Sequence, residues 1–299
     1  MKIGIVGGGA IGLFYAANLS RNFQVQLLTK RQEQARAINE KGLCMAEAGQ
    51  KMRIELQAVQ ISQSSLNQAD FLFIAVKQYQ LQSVIPVLSM VPEHVTLVFL
   101  QNGMGHLEWL GRLPQKNIFV CTVEHGVLRE NDYTVQVRGR SLTNIACIRG
   151  TGEAIEPIVK RSGPDFPFVF HDDPEAMLLE KLAVNIVINP LTALLKVENG
   201  EIADNVHFQQ VAFRIFQEFA DVFSIREHSQ ERIWKKIMEV CQKTSKNRSS
   251  MLRDIEEHRP LELDAIVGYV LTESERRKVE TPVIHTIYYL LKGLDNKGE

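Results

Sequence analysis

Lys181, Asn185 and Asn189 stand four residues apart in the run Lys181-Leu-Ala-Val-Asn-Ile-Val-Ile-Asn-Pro190. On an α-helix that spacing stacks them on nearly one face. Leu182, Ala183, Val184, Ile186, Val187 and Ile188 fill the rest of the surface, and a helix apolar almost all round is a buried one. A lysine and two amides in such a place need partners, because burying them unpaired is costly. The stripe could donate a proton from the lysine and hold a polar ligand with the amides. The alternative is a lysine that snorkels to the helix end and asparagines that satisfy loop carbonyls.

A second constellation opens the chain. Gly7-Gly8-Gly9-Ala10-Ile11-Gly12 fits G-x-G-x-x-G directly after the apolar run at residues 2–6 and at the start of a helix. That context gives a tight turn, a close approach of backbone to a pyrophosphate, and a helix N-terminus aimed at the anion. An NAD site would place an acid about twenty residues beyond the first glycine. Here Thr29-Lys30-Arg31 stands instead. Two cations and a hydroxyl favour the 2′-phosphate of NADP(H), and either Lys30 or Arg31 can take it. As solvated bases at a helix start they would oppose its dipole.

The elements that position these residues follow from periodicity. Strands are expected at 2–6, 24–28, 70–76 and 95–100, with helices at 10–19, 31–41 and 80–88 between or beside them. Alternating stretches at 43–47 and 52–61, split by Ala48-Gly49-Gln50, predict a small antiparallel addition at a sheet edge. Short strands are expected near 118–123, 133–138 and 143–148. Strands alternating with helices make a doubly wound sheet. From residue 175 the pattern becomes helical, and Asp173-Pro174 makes an N-cap with proline at the first helical position. The expected fold is therefore α/β: a Rossmann-type doubly wound domain over residues 1–172 and an all-helical domain over 173–299. Pro190 is expected to end or kink the long helix, which would present Asn189 at a break.

Two loops should line the carboxyl edge of the sheet, where ligands of open α/β sheets bind: Lys77-Gln-Tyr-Gln80 and Gln101-Asn-Gly-Met-Gly105. Lys77 alone reads equally as a solvated loop lysine. The glycines flanking Met104 suggest a close backbone approach.

Composition excludes several classes. A formal net charge of -1 offers no surface for nucleic acid or an anionic membrane. The 45% hydrophobic content excludes disorder. Cys44, Cys121, Cys147 and Cys241 are scattered, which argues against a zinc site or disulfide framework and for a reducing compartment. Glycines interrupt the N-terminal apolar run, unlike a signal peptide, and no apolar run approaches a membrane span. The expected location is the cytoplasm.

Taken in order, the glycine motif, Lys77-x-x-Gln80, Asn102-Gly-Met-Gly105, Lys181-Leu-Ala-Val-Asn185-x-x-x-Asn189-Pro-Leu-Thr-Ala193, Asn199-Gly-Glu201, Asn247-x-Ser-Ser250-Met-Leu-x-Asp254 and Glu262-x-Asp264 resemble the ketopantoate reductase (2-dehydropantoate 2-reductase) family. The resemblance covers nearly the whole chain and is strongest to Bacillus-type members. It implies NADPH-dependent reduction of 2-dehydropantoate to (R)-pantoate in the pantothenate pathway, with no metal. Lys181 would be the general acid and Glu262 the group that pairs with the reacting centre and holds the lysine network. Asn185, Asn189, Asn199, Asn247 and Ser250 would bind substrate. The motif Gly7, Gly8, Gly9, Ala10, Ile11 and Gly12 would bind NADPH, with Lys30 or Arg31, Lys77, Gln80 and Asn102.

Elementary chemistry agrees with that assignment. Hydride addition to a ketone builds negative charge on oxygen, so a donor must be aimed there. Burial disfavours the charged lysine and a neighbouring carboxylate favours it, a balance that Lys181 and Glu262 can supply. Glu262 could instead be an acid in the first turn of a helix opened by Pro260, and Asn247 with Ser250 a helix start. Glu124-His125 departs from the family's pattern: it adds a carboxylate in a cofactor-side loop, to alter nicotinamide contacts or to face solvent. The partner is a small 2-oxo acid, and a homodimer is open. The rivals are a reductase of another branched 2-oxo acid and an NADP(H)-binding sensor without turnover, which need not keep Lys181 and Glu262.

Overall fold

A computed structural model describes residues 1–295; residues 296–299 of the second expected domain lie outside the described residues. The chain forms two compact units. The first comprises Met1–Gln101 and His106–Met177; the second takes Asn102–Gly105 and the chain from Leu178 onward. The sequence places the division at 172/173; the structure places it between Met177 and Leu178 and adds the short Asn102–Gly105 loop to the second unit.

In the first unit the strands are β1 (Lys2–Val6), β2 (Gln24–Thr29), β3 (Leu43–Glu47), β4 (Gln50–Ile54), β5 (Gln57–Gln60), β6 (Phe71–Ile74), β7 (Thr96–Phe99), β8 (Ile118–Val123), β9 (Gly126–Arg129), β10 (Thr134–Gly139), β11 (Thr143–Arg149) and β12 (Phe168–His171). Eight form one sheet in the order β12-β11-β8-β7-β6-β1-β2-β5. The pairs β1/β2, β1/β6, β2/β5, β6/β7 and β7/β8 are parallel, while β11 runs antiparallel to β8. The central strands are apolar on both faces, as a doubly covered parallel sheet requires.

The remaining strands form a second sheet, β4-β3-β10-β9. This corrects the expectation of an addition at the edge of the main sheet. The stretch 52–61 is two strands in two sheets. Ala48 (φ 47°) and Gly49 (φ 81°) make the two-residue turn that folds β4 back on β3. Beyond it, β5 leaves to pair with β2, and the Asn39 side chain clamps the Ala58 backbone through two hydrogen bonds of 2.8 Å. Strands β9 and β12 were not expected from periodicity.

The Ala10–Leu19 helix touches β1 and β2 of the main sheet and β3, β9 and β10 of the second. Contact with both sheets explains why Gly12 through Leu19 are all buried and why the helix has no polar face. Phe14 and Tyr15 project from it into an aromatic cluster with Phe73, Phe166 and Phe168.

Helices make up the second unit. Pro174–Leu195 is continuous through Pro190, so of the two expected outcomes, an end or a kink, the helix does not end at Asn189. Proline removes one N–H and crowds the preceding turn, yet the buried apolar faces on both sides of Pro190 keep the helix in place. Asp173 caps it as expected, accepting from the Ala176 N–H at 3.0 Å. Among the described residues this is the one helix long and apolar enough to cross a membrane, which corrects the sequence expectation. Since 72% of its apolar window is buried inside the protein, it is built as a core helix.

The helices Asn199–Asp204, Val206–Val222, Glu227–Lys243, Ser250–Glu256, Tyr269–Arg277 and Pro282–Asp295 follow. The Asp264–Gly268 turn, directly before Tyr269, is π-helical. Such single-turn bulges are frequent at functional sites. Glu218 anchors the last helix, its two carboxylate oxygens accepting from the Val283 and Ile284 N–H groups at 2.9 Å each.

Candidate active site

In the first unit the glycine loop lies between β1 and the Ala10–Leu19 helix. Gly7 has φ +114° and donates to Leu28 O at 2.9 Å, so the end of β2 pins the turn. A Cβ on Gly12 would lie 1.8 Å from Gly7 O, so only glycine lets the helix start close against the turn. At Gly9 a Cβ would meet nothing within 4 Å. The loop is therefore tight beneath and open above Gly9, and no side chain caps the helix N-terminus. That cradle fits a pyrophosphate held by backbone N–H groups.

Gln34, missed in the sequence, closes one side. Its Nε2 donates to Gly8 O at 2.8 Å and to Asp132 O at 3.0 Å. At the end of β2, Thr29 Oγ1 donates to Arg31 O at 2.8 Å, Lys30 is exposed, and the Arg31 guanidinium pairs with the Asp132 carboxylate. Lys77 precedes a short 3-10 turn at Gln78–Gln80, and its N–H donates to Gln80 Oε1 at 3.1 Å. Gln80 thus shapes the Lys77 loop from within. Gln101, the first residue of the second expected loop, ties the ends of neighbouring strands by donating to Ile74 O and Val76 O at 2.8 and 2.9 Å.

Glu124 and His125 have structural partners. Glu124 Oε1 accepts from Asn144 Nδ2 at 3.2 Å. His125 stacks on Phe166, and its Nδ1 accepts from the Ser141 N–H at 3.1 Å. Burial, with Arg140 beside it, pushes the imidazole pKa down to about 4.

In the second unit the polar stripe is buried as the spacing predicts. Asn185 and Asn189 are each 8% exposed, with Lys181 half-buried one turn before them. Glu180, the neighbour of Lys181, pairs with Arg232 and Lys236. Burial raises its pKa, but those hydrogen bonds outweigh it and leave the carboxyl below its usual range. The pairing fixes this stretch of helix against Glu227–Lys243.

Asn189 Nδ2 lies 3.5 Å from Ser250 Oγ, a long contact at the start of the Ser250–Glu256 helix. The residue that holds that helix is Ser249. Its Oγ accepts from the Leu252 N–H at 3.1 Å and is hydrogen-bonded to Thr192 Oγ1 at 2.7 Å. Thr192 was not singled out in the sequence either; it lies three residues beyond Asn189, on the adjoining part of the helix surface.

Asn199 is buried and opens its own helix. Its N–H donates to Asn247 O at 2.9 Å, and its Nδ2 to Thr244 Oγ1 at 2.9 Å. Its Oδ1 is buried with no hydrogen-bond partner among the described residues.

Asn102 belongs with this unit. Its Nδ2 donates to Glu262 Oε2 at 3.3 Å. Glu262 is 7% exposed and precedes its helix rather than standing in the first turn, its carbonyl accepting from the Ile266 N–H at 3.2 Å. Gly103, with φ +75°, packs against the π-helical turn so closely that a Cβ would fall 2.1 Å from Ala265 O.

The structure thus groups Asn189 with Ser250, Asn199 with Asn247, and Asn102 with Glu262. The sequence model of the family "Ketopantoate reductase PanE/ApbA" matches residues 3–150, and that of "Ketopantoate reductase PanE/ApbA C terminal" matches residues 173–295. The chain belongs to the ketopantoate reductase family. The 2-dehydropantoate 2-reductase of Listeria monocytogenes is 37% identical over 303 residues, covering 100% of this chain and 98% of its own. The crystal structure of the probable 2-dehydropantoate 2-reductase from Bacillus subtilis superposes with a TM-score of 0.88 at 34% identity, over 98% of this chain and 100% of that one. D-mandelate dehydrogenase, solved with NADH and anilino(oxo)acetate, reaches a TM-score of 0.88 over 100% of this chain and 99% of that one. At 22% identity it shows the fold alone. The protein is an oxidoreductase with the Rossmann-type domain and helical C-terminal region of ketopantoate reductases.

Proposed function

We propose that this ketopantoate reductase reduces 2-dehydropantoate to (R)-pantoate with NADPH in the cytoplasm, as a step of pantothenate and coenzyme A biosynthesis. The observation that carries the reading is the Lys181–Asn185–Asn189 stripe, with both asparagines buried and the lysine half-buried, in a chain whose full-length relative is a 2-dehydropantoate 2-reductase. The four free cysteines suit a reducing compartment.

NADPH, when bound, supplies the hydride to the ketone carbon. Lys181 donates its ammonium proton to the ketone oxygen as negative charge develops there. Glu262, held by Asn102, keeps the lysine network charged. Asn185, Asn189 and Ser250 orient the substrate's carboxylate and hydroxyl, and Asn199 offers its buried Oδ1 to a hydroxyl. Neutral amides do this without adding a charge that would compete with Lys181. The glycine loop from Gly7 to Gly12 cradles the pyrophosphate, Lys77 and Gln80 shape the loop beside it, and Lys30 and Arg31 attract the 2′-phosphate.

The test is a spectrophotometric assay of NADPH and NADH oxidation with 2-dehydropantoate and a panel of other branched 2-oxo acids. The reading expects the highest kcat/KM for NADPH with 2-dehydropantoate. A higher value for another 2-oxo acid would reassign the substrate, and no turnover with any of them would leave a sensor.

A further inference from the structure

Arg31 and Asp132 come from different sheets of the first unit, Arg31 following β2 and Asp132 lying between β9 and β10. Their side chains form an ion pair, half-exposed on the arginine side. The Asp132 turn is braced at each step. Tyr133 N–H donates to Asn131 Oδ1 at 3.0 Å, Glu130 N–H to Thr134 O at 3.0 Å, and Cys44 N–H to Tyr133 O at 2.7 Å. Gln34 then bonds Asp132 O and Gly8 O with one amide nitrogen, so the aspartate backbone sits one side chain away from the glycine loop. The Arg129 guanidinium lies 4.0 Å from the same carboxylate.

We propose that Asp132 is a specificity-determining residue for the dinucleotide: it is an internal counter-ion of Arg31 that a 2′-phosphate must displace, and Arg129 keeps the displaced carboxylate paired. This rests on the reading of Arg31 as a 2′-phosphate ligand. The pair engages one guanidinium nitrogen, Nη2, and a phosphate that takes this nitrogen must displace the carboxylate. A dinucleotide without the phosphate leaves the Arg31–Asp132 pair intact. Asp132 therefore lowers affinity for NADPH and leaves NADH unaffected, narrowing the preference that Arg31 creates.

The experiment is calorimetric titration of NADPH and of NADH, without substrate, into the full chain and its Asp132→Asn, Arg31→Ala and double variants, with ligand-free melting temperatures alongside. Asp132→Asn keeps the shape of the side chain and removes its charge. It should tighten NADPH about three- to fivefold, the range of a partly exposed ion pair, and leave the Kd of NADH unchanged. In the Arg31→Ala background the same change should give no such gain, because the effect passes through Arg31. Unchanged or weaker NADPH binding by Asp132→Asn, with Arg31→Ala still selectively weakening NADPH, would overturn the counter-ion role alone. Loss of NADH affinity in Asp132→Asn would make the carboxylate a ribose ligand instead. Equal losses of NADPH and NADH in Arg31→Ala would overturn the 2′-phosphate reading, and this inference with it.

Discussion

Asn102 donates its side-chain amide to Glu262 at 3.3 Å across 160 positions of sequence. The contact sits where a loop after β7 meets the start of a π-helical turn, and it gives a 7%-exposed carboxylate a neutral donor. Hydrogen bonds to charged groups contribute about 1.5–3 kcal/mol. Asn102→Ala should therefore lower kcat by about tenfold or more, with a smaller change in NADPH affinity. Steady-state kinetics beside direct cofactor titration check this; an effect on cofactor binding alone would remove Asn102 from the catalytic network.

Gly103 locks that arrangement through a close backbone approach. A methyl group there would meet the Ala265 carbonyl at 2.1 Å, and the residue has φ +75°. Neither obstacle is the movable end of a side chain. Gly103→Ala should cost about 3 kcal/mol or more of stability, measured by urea denaturation. A variant as stable as the parent would show that the loop and the π-helical turn are not locked together.

Ser249 holds the helix that presents Ser250, by capping Leu252 N–H and by bonding Thr192. Ser249→Ala should cost about 1 kcal/mol for the cap, with some further loss from Thr192. KM for the 2-oxo acid should rise while NADPH affinity stays constant. A stability loss with unchanged KM would make Ser249 purely structural.

Two histidines make the first unit acid-sensitive. Burial holds His106 at a pKa of about 4 against the Phe99 ring, and burial with Arg140 nearby does the same for His125. Both folded values lie below the ordinary 6.5, so the unfolded chain binds more protons between those limits. The stabilisation is full above about pH 6.5 and is lost as pH falls toward 4, roughly 2 kcal/mol per histidine by pH 5. Urea midpoints measured from pH 7.5 to 5 should fall accordingly. His106→Phe should flatten the slope, and a slope unchanged in that variant would refute the contribution.

Much of this architecture was legible in the residues. The four-residue spacing of Lys181, Asn185 and Asn189 and their apolar surroundings identified a buried helix with one polar line, because helical periodicity is local information. The glycine motif was legible for the same reason: strand, turn and helix start lie within a dozen residues. Residues 52–61 misled because a strand's alternation does not say which sheet it joins; a two-residue turn and the Asn39 clamp decide that. Pro190 misled as a helix end because the buried apolar residues on both sides of it carry the helix through to Leu195. Thr192, Gln34 and Asp132 act through partners far away in sequence, which periodicity cannot reveal, and Ser249 adds to its local cap a bond to Thr192, 57 positions away.

The central claim is that Lys181 delivers the proton to the developing alkoxide. Single-turnover reduction of 2-dehydropantoate by Lys181→Ala, followed by loss of NADPH absorbance and set beside the variant's NADPH Kd, tests it most directly. A general acid of this kind contributes on the order of 10²–10⁴ in rate. The account predicts a fall of that size in the hydride-transfer rate with NADPH affinity nearly unchanged. Hydride transfer at the parent rate in Lys181→Ala would contradict it.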